Sequence, residues 1–154
     1  MNSRRELDLS IDVGDPPEPY RLDDQVGFLL RRAYQRNVAI FGEAMPEAIT
    51  PTQFAAMARL NERGPCSQNL LGRLTAMDAA TIKGVVDRLR DRGLVVTTPD
   101  PEDRRRTLIA LSDEGLALIV RAEMAGAEVS RRTVAALTPR ERETLMRLLR
   151  KIAE

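Results

Sequence analysis

The side chains best suited to chemistry in this 154-residue sequence are cationic and polar, and they lie in three short segments. Three consecutive arginines occupy positions 104–106, Lys83 follows Thr81 by two residues, and Arg31 and Arg32 follow Phe28. A guanidinium group presents a planar fork of donors that fits phosphate oxygens, guanine edges and carboxylates. These residue types therefore favour recognition of anions and of base edges.

The composition excludes the commonest kinds of enzyme and metal site. The sequence has no histidine and one cysteine, Cys66. It therefore lacks the side chains that most metal sites, catalytic triads and acid–base catalysts use. A lone cysteine also forms no disulfide within the chain. We expect a protein that is not an enzyme and that needs no metal or cofactor.

The net charge is distributed unevenly along the chain. The formal total is +1, but residues 1–24 contain three arginines and seven acidic residues, a local charge of −4. Residues 25–154 therefore carry +5. The basic residues are 22 arginines and two lysines, a bias that nucleic-acid recognition and a GC-rich genome explain equally well.

The first 20 residues differ in composition from the rest. They mix acidic residues with one glycine and three prolines, which predicts a disordered acidic arm at 1–20 and a single domain at 21–154. Apolar residues recur at helical spacing from Asp23 to Phe41 and predict a first helix. The sequence shows no signal peptide and no long apolar run, so we expect a cytoplasmic protein without a membrane partner.

Three short helices with tight connections are predicted between residues 51 and 92. Thr50 and Gln53 form a capping-box pattern, Ser67 can cap the second helix, and Asp78 can cap the third. Gly93 ends the third helix. Its apolar stripe consists of Ile82, Val85, Val86 and Leu89. This arrangement predicts a helix-turn-helix.

A hairpin and two closing helices are predicted next. β-prone runs at 94–98 and 107–111 flank a charged turn, which places the three arginines at a hairpin tip. Ser112 can cap a long helix that reaches Leu137, and Thr138 begins a last helix with a capping box. The fold is thus mainly α with a small β-hairpin. The terminal helices carry apolar stripes that the middle of the chain cannot cover, which favours a helical dimer interface.

These elements and their motifs resemble the MarR family of bacterial transcriptional regulators. The resemblance implies a winged helix-turn-helix at about 50–111, dimerisation helices at about 22–45 and 112–154, a homodimer, and an operator DNA duplex as partner. The segments 28–36 and 67–78 further resemble the branch that represses catabolism of aromatic acids. The motifs are Thr50–Phe54, Asp78–Leu89, Arg92–Val95, Asp103–Arg106 and Leu111–Gly115.

The predicted contacts with DNA fall on the second and third of the three helices between residues 51 and 92 and on the hairpin, which forms the wing. A helix of about 14 residues fits the major groove, and its N-terminal half reaches base edges. We therefore assign base contacts to Thr81 and Lys83, which could otherwise be solvated helix positions. The wing can enter the minor groove or be a solvated charge cluster. In the wing, contacts with DNA are assigned to Arg104, Arg105 and Arg106. In the second of the three helices they are assigned to Gln68, Asn69 and Arg73, which either contact phosphates or act as local caps.

Three further residues are assigned to support of the DNA site. The resemblance implies that Asp103 and Arg105 form the Asp-x-Arg pair of the wing, in which the carboxylate orients an arginine. An aspartate on a recognition helix repels phosphate and is best used to hold an arginine, so Asp87 and Arg88 are assigned to positioning. Gly84 stands where many relatives have a larger polar or basic side chain, which leaves more of the base contacts to Lys83.

A candidate effector site lies on the first helix. Phe28, Arg31, Arg32 and Gln35 are spaced i, i+3, i+4 and i+7, which places an aromatic ring, two guanidinium groups and an amide on one side. An aromatic carboxylate requires an apolar wall and a cation. An exposed amphipathic face or salt bridges between protomers explain the same spacing.

We therefore expect a dimeric repressor that is released from a pseudo-palindromic operator by a small aromatic or heteroaromatic acid, such as a hydroxynicotinate or hydroxycinnamate derivative. One alternative is a redox-responsive MarR-type regulator that uses Cys66. Another is a winged-helix interaction module that does not bind DNA.

Overall fold

The computed structural model describes residues 19–154, so nearly all of the predicted arm at 1–20 lies outside the described residues. The predicted fold class is confirmed within this range: the chain is mainly helical with one antiparallel hairpin. Short 3-10 turns precede the first two helices. The elements are α1 Val26–Ala44, α2 Pro51–Arg63, α3 Gln68–Leu74, α4 Ala79–Asp91, β1 Val95–Pro99, β2 Thr107–Leu111, α5 Asp113–Thr133 and α6 Pro139–Ala153.

Five helices begin at the capping residues that the sequence predicts. In each, the side-chain oxygen accepts a hydrogen bond from the backbone N–H three residues later, which satisfies a donor with no partner inside the helix. At the starts of α2 and α6 a glutamine or glutamate returns a second bond to the capping residue. The capping residues are Thr50, Ser67, Asp78, Ser112 and Thr138.

Three helix boundaries differ from the prediction. α1 begins at Val26 rather than Asp23, because Leu22–Asp24 forms a 3-10 turn. α1 runs three residues past Phe41 and ends at Ala44, because Met45 precedes Pro46 and takes the extended conformation that a following proline favours. α5 ends at Thr133 rather than Leu137. Beyond it, the side chain of Arg142 donates to the carbonyl of Leu137 at 3.0 Å, so this segment turns towards α6.

The core joins the helix-turn-helix to α1 and α5. Met57, Leu89 and Ile119 are almost inaccessible to solvent and come from α2, α4 and α5. Phe41 of α1 meets Phe54 of α2 edge to face, with ring centroids 5.8 Å apart. The middle helices are thus fixed to the helices on either side of them in the chain by buried apolar contact.

The hairpin pairs in a simple register from Val95 with Leu111 to Pro99 with Thr107. Cys66 extends it through two backbone hydrogen bonds with Ile109, at 3.1 and 2.8 Å. Just before β1, the carbonyl oxygen of Leu94 lies so close to Gly115 of α5 that a β-carbon on that glycine would overlap it. The hairpin is therefore tied to the start of α3 and closely packed against the start of α5.

The last helix makes few contacts with the rest of the described chain. None of its residues is buried, and α6 packs extensively against no other element. Three of its large apolar side chains, Met146, Leu148 and Ile152, are exposed. No helix between residues 19 and 154 combines the length and the apolarity that crossing a membrane requires.

Candidate nucleic-acid interface

Helix α4 presents a polar face because its apolar stripe is fully used in the core. Ile82, Val85 and Leu89 are at most 1% exposed, whereas Thr81 and Lys83 are exposed. The structure therefore places both predicted base-contacting residues on the free face of the helix.

A tight turn sets α3 against α4. Ala76 has a φ of +53°, an uncommon conformation for a residue with a side chain, and the N–H of Met77 donates to the carbonyl of Gly72 at 2.9 Å. A β-carbon on Gly72 would lie 3.2 Å from Cγ2 of Ile82. The glycine thus allows the two helices of the helix-turn-helix to approach closely.

The N-terminus of α4 is closed by Asp78. Its Oδ1 accepts from the backbone N–H of Thr81 at 2.7 Å, and this bond holds the pKa of the carboxyl below its ordinary value. The negative charge lies at the positive end of the helix dipole, where it is favourable. Asp78 therefore fixes the backbone position of Thr81.

Lys83 is not a free cation in this structure. Its Nζ donates to Oδ2 of Asp87 at 2.6 Å, and Arg90 donates to the other oxygen of the same carboxylate at 3.2 Å. Arg90 also reaches Oγ1 of Thr97 on β1, again at 3.2 Å. The hydrogen bond from Lys83 is the main reason that the pKa of Asp87 lies below its ordinary value.

Asp87 therefore holds an arginine, as expected for an aspartate on this helix, and that arginine is Arg90. Arg90 was missed because its second partner, Thr97, is on a strand. Arg88 is exposed and its side chain makes no hydrogen bond or salt bridge with the described residues, so neither kind of interaction supports the positioning role assigned to it.

The wing tip is organised by Asp103. Its Oδ1 accepts from the backbone N–H of Arg105 at 3.1 Å and from the guanidinium Nε at 3.3 Å. Oδ2 lies 3.7 Å from Nε of Arg106. The side chain of Arg105 is 92% exposed, and Arg104 is exposed as well. One carboxylate thus orients two arginines while their donors remain open to solvent.

Helix α3 places its polar residues beside the base of the wing. Asn69 and Arg73 line an open cavity of about 680 Å³ together with Arg106, whereas Gln68 is half-buried. The capping bond of this helix is accepted by Ser67. Neither Gln68 nor Asn69 is therefore the N-cap residue.

The candidate effector residues lie together on one face of α1. The guanidinium of Arg32 lies over the ring of Phe28, with Cζ 5.8 Å from the centroid. Arg31 and Gln35 are exposed. Helical geometry puts this face opposite an apolar cavity of about 460 Å³. That cavity is lined by Leu30, Ala33, Asn37, Val134, Leu145 and Leu149, with polar groups from Ser130, Arg131 and Thr133 and with Met146.

A hydrogen-bonded connection between α4 and α5 was also missed from the sequence. Arg92, the C-cap of α4, donates to the carbonyl of Glu47 at 2.8 Å, and the Glu47 carboxylate accepts from Arg121 of α5 at 2.7 Å. Glu47 and Ala48 both have positive φ, 59° and 47°. The partners are 45 and 74 residues apart in the chain, so no local pattern could reveal them.

Within residues 19–154, no group of three or more histidine, cysteine, aspartate or glutamate side chains could hold a metal ion. Cys66 is a buried free thiol. Burial raises its pKa above the ordinary value. The described surface thus offers cationic and polar groups for recognition.

Comparison with known proteins agrees with this geometry. Residues 49–106 match the family model described as "MarR family". The chain is 41% identical over 137 residues to the HTH-type transcriptional repressor NicR of Pseudomonas putida. The aligned region covers 88% of this chain and 87% of NicR.

Solved structures give the same result. A probable transcriptional regulator from Pseudomonas aeruginosa is 53% identical with a TM-score of 0.83, covering 86% of this chain and 99% of that one. BpsR of Bordetella bronchiseptica, described with a mechanism for regulation of its DNA binding by 6-hydroxynicotinic acid, is 40% identical with a TM-score of 0.83, covering 88% and 98%. The chain therefore belongs to the MarR family of DNA-binding transcriptional regulators, which are not enzymes.

Proposed function

We propose that the protein is a dimeric repressor whose release from a pseudo-palindromic operator is driven by a small aromatic or heteroaromatic acid. The observation that carries this proposal is the combination of an exposed polar face on α4 with a wing whose arginines are oriented by Asp103. In this arrangement α4 enters the major groove and the wing reaches the minor groove beside it. Such a protein acts in the cytoplasm, where bacterial DNA lies.

Exposed apolar side chains support the dimer. Val26, Leu29 and Leu30 of α1 are each more than 40% exposed, and the apolar residues of α6 are exposed as well. A second copy would remove this apolar area from water. The two copies of α4 would then reach half-sites about one helical turn of DNA apart.

The similarity to BpsR, whose DNA binding is described as regulated by 6-hydroxynicotinic acid, supports the effector class. We place the carboxylate of the acid against Arg31 and Arg32 and its ring against Phe28, whose arrangement offers cations beside an aromatic face. A ligand shifts the DNA-binding equilibrium only if it binds the two conformations with different affinity.

DNA binding and release are tested together by fluorescence anisotropy on the DNA upstream of the gene. We expect a complex of two chains per site, weakened by 6-hydroxynicotinic acid and unaffected by an uncharged amide analogue. Arg31→Ala and Arg32→Ala should weaken the response to the acid, with Arg21→Ala as the matched arginine control. Specific DNA binding that no acid in a panel of aromatic and pyridine carboxylates alters would reject the effector class and leave the DNA-binding function standing.

The two alternatives have less support in the structure. The buried thiol of Cys66 has a raised pKa and no second cysteine to form a disulfide within the chain, which disfavours a redox switch. An interaction module that does not bind DNA has no need of three exposed arginines at the wing tip. Salt-dependent, sequence-specific binding in the same assay would exclude that module.

A further inference from the structure

Gly84 lies on the exposed face of α4, and the side chain of Arg88 covers it. A β-carbon built on Gly84 would meet Nη1 of Arg88 at 3.3 Å, Nη2 at 3.6 Å and Cζ at 3.8 Å. The guanidinium group therefore occupies the space that the side chain of residue 84 would fill in another protein.

Helix geometry explains this position. Residues four apart lie on the same face, and helical side chains lean towards the N-terminus. Since Gly84 has no side chain, nothing on the helix obstructs Arg88, and its guanidinium group reaches one turn nearer the start of the helix. The N-terminal half is the part of a recognition helix that contacts base edges.

Arg88 also differs from the other basic residues of α4 in its partners. Lys83 and Arg90 share the carboxylate of Asp87. Among the described residues, the side chain of Arg88 makes neither a salt bridge nor a hydrogen bond, and it is exposed. It is thus the guanidinium group on this helix whose donor fork is not engaged within the described chain.

We infer that Arg88 contacts a base, with its guanidinium group donating to N7 and O6 of a guanine in each half-site, and that Gly84 is the residue that makes this contact possible. The inference rests on the proposed DNA-binding function and deepens it. It replaces the positioning role expected for Arg88. It also explains Gly84: a glycine cannot contact a base through a side chain, and Arg88, one turn later, makes the contact instead. Thr81, three residues before Gly84, would lie beside this contact.

The test compares Arg88→Ala, Arg88→Lys and Gly84→Leu with the wild-type protein. Each is assayed on operator DNA and on scrambled DNA, and its sequence preference is determined by selection from a randomised duplex library. Arg140→Ala, which removes an exposed arginine from α6, is the charge-matched control. Circular dichroism and the Tm of every variant establish that it is folded.

We expect Arg88→Ala to lose roughly 5- to 150-fold in operator affinity, the range for one bidentate base contact. Its affinity for scrambled DNA should change much less, and the preference for guanine should disappear at one position of each half-site. Arg88→Lys keeps the charge but not the planar fork, so it should not restore that preference. Gly84→Leu displaces the guanidinium group and should relax the same position.

Equal losses on operator and scrambled DNA, with unchanged sequence preference, would overturn the inference, because they indicate a phosphate contact. So would full restoration by Arg88→Lys. Failure of the proposed function has a different signature: the wild-type protein itself would then show no preference between operator and scrambled DNA.

Discussion

Lys83 and Asp87 of α4 are joined by a hydrogen bond of 2.6 Å between Nζ and Oδ2. Because the same carboxylate also accepts from Arg90, one negative charge holds two cations on the face that we propose meets DNA. We therefore expect Asp87 to weaken the attraction of this helix for the phosphate backbone and to favour sites where base contacts add to binding.

Asp87→Asn should therefore raise affinity for non-specific DNA and lower the ratio of specific to non-specific binding. The slope of log K against log salt should steepen by up to about one unit per additional phosphate contact. Asp91→Asn makes the same change of charge on the same helix, at a carboxylate without a salt bridge to the described residues. Equal effects of the two variants would show that only net charge matters.

Arg105→Ala should weaken operator binding and reduce the salt slope by about one unit, since an exposed guanidinium group at the wing tip is lost. Asp103→Asn should have a smaller effect of the same kind, because it leaves the arginine in place but removes the carboxylate that orients it. Anisotropy titrations at several salt concentrations measure both. An unchanged slope for Arg105→Ala would contradict the role of the wing.

Gly115→Ala should destabilise the protein by about 1–3 kcal/mol or more, because the new β-carbon meets the backbone carbonyl of Leu94. Gly42→Ala in α1 is the matched control: no atom lies within 4 Å of the new β-carbon, so replacing a helical glycine there should stabilise by about 0.5–1 kcal/mol. Urea unfolding of both variants checks the prediction, and the opposite ordering of their stabilities would refute the close packing between α5 and Leu94.

The Cys66 thiol should alkylate more slowly in the native protein than in the unfolded chain, because burial raises its pKa and keeps it protonated. The native thiol ionises at a higher pH than the unfolded one. The free energy of unfolding should therefore decrease as the pH rises through the pKa of the unfolded thiol. Reaction with iodoacetamide from pH 7 to pH 10, with and without guanidinium chloride, measures the difference. Equal rates in both states would contradict it.

The connection through Glu47 should carry part of the coupling between effector and DNA. Arg121→Ala breaks the link between α5 and the C-cap of α4, and we expect the coupling free energy to fall by about 0.5–2 kcal/mol while DNA affinity without effector changes little. Arg131→Ala removes an arginine whose partner Glu128 lies on the same helix. Operator titrations with and without the acid measure the coupling, and equal losses in both variants would exclude a special role for Glu47.

The sequence suffices for features that depend on neighbouring residues. The five helix starts are predictable because each capping bond spans three residues, and the polar face of α4 follows from the spacing of its apolar stripe. The contact between Asp103 and Arg105, two residues apart, was expected from the resemblance to the MarR family.

Features that join distant parts of the chain could not be predicted in this way. Arg92 and Arg121 both donate to Glu47, which lies 45 and 74 residues away from them in the chain. The position of Arg88 was missed for another reason. Its guanidinium group lies over Gly84 because that residue has no side chain, and the sequence pattern does not show which neighbouring side chain occupies the space above a glycine.

The two backbone bonds between Cys66 and Ile109 have a mechanical consequence. They join the residue before the N-cap of α3 to the middle of β2, so we expect the hairpin and the start of α3 to move together. If the wing enters the minor groove as we propose, a change in the position of the hairpin would therefore also move the start of α3.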